Sequence, residues 1–386
     1  MKVLIVFTDM IRPNRLSTFN DKIRRENPFD KSLLKLGGTF YNNCFSEGPD
    51  TPRGLATFAT GKPPFINGCN TRLKWPRYFL NKDFKTIYDL FIDKDYELSF
   101  FSNPNERETG MFPESINKMD IHNNDFNLDG YLKNLELKDE HLLFVSLPDF
   151  HWSFDDHGYT KYGEHKAYFD ISKSFDIIFN NFNKDDFDHI FVFSEHGFKF
   201  NYEVKQQKKY LLLNEDRTNI LMIHRRKGEE KVEYSDKLCS LGQMFFSIDN
   251  ILNNESSELS IFSKKGKEYI VIEDHIDFTP AINQNIELWS IVQNDTIYIR
   301  SLEKGYLIDR ESKNIISKTD DVYDQILKNE SSFSKYYEEY KKVNIYREFI
   351  LKQTNYMHGG KRKKVLKILI WLHSLIDFIS AKIRNV

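Results

Sequence analysis

Three short apolar runs constrain this chain most: Val3–Phe7, Leu142–Leu147 and His189–Phe193. Each is short for a helix and lacks the alternation of a half-exposed strand, so each reads as a strand covered on both faces. Between them lie helical patterns, "FKTIYDLFIDK" and "EHKAYFDISKSFDIIFNNF". Strands that alternate with helices build a parallel sheet, because every crossover needs an element that packs back onto a face. The expectation is an α/β chain with a doubly wound, mostly parallel sheet and helices on both faces. A further strand, Asn219–His224, precedes another helical pattern, "SDKLCSLGQMFFSIDNIL".

The pattern changes near Lys264. Short strand-like runs such as "KEYIVIEDH" follow, with Asn294-Asp295 and Lys304-Gly305 as hairpin turns. Residues 1–262 thus read as the main domain and 263–345 as a small antiparallel β extension. Residues 346–386 read as a basic amphipathic helical tail. From Lys361 to Arg384 the tail carries seven basic residues against Asp377 alone, around an apolar middle that includes Trp371. Such a helix fits a membrane interface, a docked terminal helix or an oligomer contact.

With 55 basic and 57 acidic residues, the chain has no overall field to recruit nucleic acid. Its cysteines, Cys44, Cys69 and Cys239, are odd in number and form no CxxC pair. A disulfide framework or zinc-cysteine site is therefore not expected. The sequence opens into its first strand, and no apolar run reaches the roughly 18 residues of a spanning helix. The expected location is the cytoplasm, peripheral to the inner face of the membrane through the tail.

Ligands in open α/β sheets gather at the carboxyl ends of the strands. Asp9 follows the first strand, Asp149 and His151 follow the second, and Glu195 and His196 follow the third. Asp9, Glu195 and His196 form an O/O/N set suited to a divalent cation, Mn or Zn, with a position left for a hydroxyl. Thr51 is the candidate hydroxyl. Pro52 suits a first helical position, Asp50 or Thr51 suits the cap, and Gly61 suits the stop. The helix N-terminus would favour an oxyanion, and Arg53 could clamp anionic oxygens. The plainer alternative is a capped surface helix with a solvated arginine.

Together these segments resemble the alkaline phosphatase superfamily, in particular its sulfatase-like and phosphoethanolamine/phosphoglycerol transferase branches. There the nucleophile opens a helix that closes in Thr-Gly, as Thr51 does with Thr60-Gly61. Asp9 in "VFTDM" matches the metal acid after the first strand. Ser194-Glu195-His196-Gly197 looks like the late S-D-H-G element, with Glu in place of Asp. Sulfatases of this fold carry a Cys or Ser converted to formylglycine. Thr51 stands at that position, and Met10 replaces a second aspartate. The resemblance therefore implies a phosphotransferase with a phospho-threonine intermediate and one Mn or Zn, taking its group from a phospholipid or nucleotide-linked donor to a glycan acceptor. Hydrolysis is the alternative, and a membrane-tethered scaffold the non-enzymatic one. His151 and His157 are expected around the transferred group, with Asp149 and His151 as a possible second metal or phosphate-binding pair. Arg12, Asn14 and Arg72 are expected to line the pocket, and His224 to be structural. If the tail docks on membranes, removing residues 346–386 should cut binding to anionic vesicles at least about tenfold in a sedimentation assay, and salt should weaken binding of the full chain.

Overall fold

The computed structural model describes residues 1–69, 80, 83–102, 120–121, 127–198, 213–273, 287–301 and 305–319. The basic tail, Arg72 and the Lys304 side of the second hairpin turn lie outside these.

The main sheet is ordered β5-β4-β6-β1-β7-β8-β2-β9. Its strands are β1 (Lys2–Thr8), β2 (Gly38–Tyr41), β4 (Glu97–Ser102), β5 (Asp120–Ile121), β6 (His141–Leu147), β7 (His189–Phe193), β8 (Met222–Arg226) and β9 (Val232–Ser235). β5, β4, β6, β1 and β7 run parallel, whereas β8 is antiparallel to β7. The three apolar runs are the adjacent strands β6, β1 and β7. Their alternate side chains feed two cores, as the period of a strand requires. Ile5, Phe7, Phe144 and Phe193 belong to one core, and Leu4, Val6, Val145 and Val192 to the other.

Helices cover both faces. α1 (Pro28–Leu36), α5 (Leu128–Asn134), α6 (Asp149–His157) and α7 (Lys161–Asn181) lie on the Val6 side. α2 (Thr51–Thr60), α4 (Ile87–Ile92) and α9 (Gln243–Asn253) lie on the Phe7 side. The short helices α3 (Pro64–Asn67) and α8 (Glu215–Thr218) complete the described α-helices, beside 3-10 turns at Pro13–Arg15 and Lys184–Asp186. The helix expected over "SDKLCSLGQMFFSIDNIL" begins only at Gln243. Its first part instead forms β10 (Cys239–Ser240), which pairs in parallel with β3 (Cys44–Phe45). Helical spacing in that segment is overridden by a strand partner nearly two hundred residues away.

The antiparallel extension is a five-stranded meander: β11 (Ile270–Glu273), β12 (Glu287–Val292), β13 (Thr296–Ser301), β14 (Gly305–Asp309) and β15 (Ile315–Thr319). Asn294-Asp295 forms the turn between β12 and β13, as expected. Ile270, Ile272, Ile297 and Ile299 pack on Phe45, Leu213 and Leu238 of the main domain, giving the two parts one shared core.

His224 sits in β8 as a packing residue. Its Nε2 is 3.1 Å from His189 Nδ1, and its ring lies against Phe191 and Phe262. Burial, reinforced by Arg226, lowers His189 to about 4, and burial beside His189 pushes His224 well down. Both are stable in the neutral form, so their contribution is complete above the unfolded value near 6.5 and fades as pH falls toward 4. Between pH 7 and 4.5, urea unfolding should show the wild type losing about 3 kcal/mol more stability than a His189→Gln/His224→Phe double variant.

Candidate active site

The parallel register of β6, β1 and β7 determines what meets at the carboxyl edge. Phe7 is level with Ser146 on one side and Phe193 on the other. Asp9 and Glu195 therefore leave the sheet at one level, with Asp149 one residue further on. At Asp9 the chain turns through Met10, which is buried in the left-handed region (φ 65°). That conformation costs a non-glycine residue on the order of 1 kcal/mol. The Met10 N–H donates to Glu195 Oε2 at 3.4 Å, tying the two strand ends together.

α2 brings the hydroxyl to this point. Its cap is Asp50, whose carboxylate accepts from the Arg53 N–H at 3.3 Å, and Thr51 is the first helical residue. Gly61 closes the helix in the left-handed conformation (φ 64°). Thr51 Oγ1 donates to Glu195 Oε1 at 2.8 Å and lies 3.5 Å from His196 Nε2. His196 Nε2 is 3.2 Å from Glu195 Oε1 and 3.8 Å from Asp9 Oδ1. One ligand atom each from Asp9, Glu195 and His196 falls within 4.8 Å of the others.

Among the described residues the cluster sets two buried carboxylates close together. Burial, and then the adjacent Asp9 carboxylate, push Glu195 well above the carboxylate range. Burial also pulls Asp9 upward, but the hydrogen bond from His151 and the two nearby imidazoles hold it below its ordinary value. His196 is lowered by burial, which leaves its Nε2 available as a ligand. His151 Nδ1 sits 2.8 Å from Asp9 Oδ2, which leaves the buried Asp9 Oδ1 without a hydrogen-bond partner. An orphaned carboxylate oxygen, a second carboxylate and a neutral imidazole nitrogen fit a divalent cation; the donor set is compatible with Mn or Zn.

No protein-family model matches the sequence, and no curated protein matches it. Solved structures do. A "2-O GAG sulfatase" aligns with TM-score 0.62 at 12% identity, over 88% of this chain and 92% of that one. A protein in the alkaline phosphatase superfamily from Vibrio parahaemolyticus aligns at 0.59 and 13%, over 89% and 87%. The phosphonate monoester hydrolase of Agrobacterium radiobacter aligns at 0.56 and 10%, over 89% and 95%. The chain has the alkaline phosphatase-like fold.

Within this fold the remaining expected site residues have mixed placements. His151, one-third exposed, links Asp9 to the rim, where its Nε2 lies 3.8 Å from Asp155 Oδ2. His157 is exposed at the far end of α6, with its ring against Tyr162, and is not brought to the cluster. Asp149 turns to α7 and accepts from Ser174 Oγ at 2.7 Å; desolvation raises it to about 6. Among the described residues, Asp9, Glu195 and His196 form the one group of three or more such side chains with metal-ligand spacing.

Arg53 departs most from expectation. It is fully buried, and its guanidinium is held by Asp50 Oδ2 at 2.5 Å and by the Glu273 backbone carbonyl at 2.6 Å. A clamp on substrate oxygens would need that guanidinium to face the site. The expected oxyanion donors change too: Pro52 has no N–H, and that of Arg53 is turned to the cap. Arg12 and Asn14 are likewise engaged, both donating to Asp216 Oδ1, at 2.9 and 3.0 Å. Asp216 and Glu273 were not anticipated. Glu273, an acid closing a buried strand, carried a usable signal, whereas Asp216, within the polar run that forms α8, carried none.

Gly54 is required by close approach. A Cβ there would meet Glu195 Cβ at 2.7 Å and the Glu195 carbonyl at 3.1 Å. Gly54→Ala should displace Glu195 and weaken Mn(II) binding, read by electron paramagnetic resonance, about 10- to 100-fold. Its unfolding free energy should change by less than about 2 kcal/mol, because helix propensity offsets part of the clash.

Proposed function

We propose that this chain is a metal-dependent enzyme that cleaves a phosphoester through a covalent phospho-threonine on Thr51. The observation that carries this is the Thr51 hydroxyl, hydrogen-bonded to Glu195 at the opening of α2 and set within the Asp9, Glu195 and His196 cluster. The solved structures that share the fold include a sulfatase and a phosphonate monoester hydrolase, which supports ester cleavage as the reaction class.

Asp9, Glu195 and His196 would hold the cation, which would lower the pKa of the Thr51 hydroxyl and offset charge on the substrate oxygens. The chain's own groups do the rest. Thr51 Oγ1 attacks phosphorus while its proton passes along the existing hydrogen bond to Glu195 Oε1. The bond from phosphorus to the donor alcohol breaks. His151, its pKa raised chiefly by the Asp9 hydrogen bond, stands at the rim, and in its protonated form it would supply the departing alcohol with a proton from Nε2. Water then gives a proton to His151 Nε2 and attacks phosphorus; the bond from phosphorus to Thr51 Oγ1 breaks, and Oγ1 regains its proton from Glu195, which makes the enzyme a hydrolase.

A second reading keeps the same intermediate but gives the group to a sugar hydroxyl. A single cation set with a threonine nucleophile supports it, because the phospho-alcohol transferases that the sequence resembles share that arrangement. A phospholipid or nucleotide-linked donor and a glycan acceptor would then be the partners.

Incubation with Mn(II) or Zn(II) and a bacterial lipid extract should add the mass of a phospho-alcohol to the wild type and nothing to Thr51→Ala. Thr51→Ala should also lower phosphodiester turnover by about 10³-fold or more. Product formed only with an added glycan selects transfer, and product without one selects hydrolysis. Undiminished turnover by Thr51→Ala would remove Thr51 from the mechanism.

A further inference from the structure

The side chain that fails as a substrate clamp has another task. Arg53 is among the largest fully buried side chains of the molecule, and its guanidinium bridges two carboxylate residues on different elements. Nε meets Asp50, the cap of the nucleophile helix, at 2.5 Å. Nη1 is 3.4 Å from Glu273 Oε1, and Nη2 donates to the Glu273 carbonyl at 2.6 Å. Glu273 is itself buried and ends β11 of the small sheet.

Glu273 also holds the segment that leads into the helix. Its N–H donates to the Glu47 carbonyl at 3.0 Å. Glu47 is fixed in turn by the Gly242 N–H, 3.3 Å from its carboxylate, and Arg217 Nε donates to the Pro49 carbonyl at 3.0 Å. The stretch from Glu47 to Asp50 is therefore tied to neighbouring elements by three hydrogen bonds. A nucleophile displaced by even an ångström loses rate steeply, so whatever fixes this stretch fixes the chemistry.

We infer that Glu273 is a positioning residue for Thr51: through Arg53 it holds the Asp50 cap and the first turn of α2, making the five-stranded sheet a working part of the active site. A buried guanidinium deprived of one carboxylate is poorly compensated and pulls its other partner out of place. The same buried bridge accounts for a T-P-R opening: a short-range arginine is needed to carry the link from cap to sheet.

The kinetic arm of the test rests on the phospho-threonine reading, whereas the exchange arm does not. In the full-length protein, Glu273→Gln should speed amide hydrogen exchange of residues 50–56 about tenfold and leave the β1 and β7 amides at wild-type rates. Arg53→Lys, which reaches one carboxylate but not both, should do the same, and Glu268→Gln on the exposed approach to β11 should change nothing. With a phosphodiester substrate, Glu273→Gln should lower kcat about tenfold or more with KM within about twofold. Wild-type exchange at residues 50–56 in Glu273→Gln would overturn the inference, as would acceleration spread evenly over the chain. A raised KM at constant kcat would return Arg53 to substrate binding. If the wild type turns over no phosphodiester, the functional reading fails while the exchange result still decides the positioning role.

Discussion

The site depends on one constraint, the parallel register that locks β1 between β6 and β7. A backbone ladder carries no chemistry of its own, yet it forces three strand ends to one level, and everything acidic in the cluster leaves from those ends. Slipping one strand by a residue would turn its whole core set to the opposite face. The two cores on either side of the sheet therefore police the position of Asp9 and Glu195 more strongly than any contact the two carboxylates make with each other.

Onto that fixed edge the molecule docks a mobile-sounding element, a ten-residue helix, and immobilises it from several directions. Its apolar face enters one core through Leu55, Ala56, Phe58 and Ala59. Gly54 lets it ride against Glu195, and the buried arginine bridge ties its opening to the small sheet. Burial of an ion pair seldom adds net stability, since desolvation of both partners opposes the attraction. Its retention at this place is better understood as geometric specification than as reinforcement.

What the sequence revealed follows from the range of the interactions involved. β1, β6 and β7 were legible because a doubly covered strand must be apolar throughout. The limits of α2 were legible because caps and stops are local: Asp50, Pro52 and Gly61 each act within a turn. The cluster itself was legible only through recurrence of polar residues at strand ends. The role of Arg53 was not, because its partner Glu273 lies 220 residues away. The same holds for Arg12 and Asn14 with Asp216, and for Asp149, whose acceptor role depends on Ser174 of a neighbouring helix. The start of α9 was misjudged for a related reason, since Cys239 finds its strand partner Cys44 only in the folded chain.

The Asp50 cap has a consequence for how such a site fills. A bare helix terminus attracts anions, but this one carries its own carboxylate, beside a proline with no N–H to give. Among the described residues Asp9 and Glu195 stand close by, so on the proposed reading a cation there would offset their charge as a phosphate ester approached. On that reading part of the anion affinity would come from the cation, so loading would favour ion first and ester second, and the concentration of free metal would act as a throttle on the cycle.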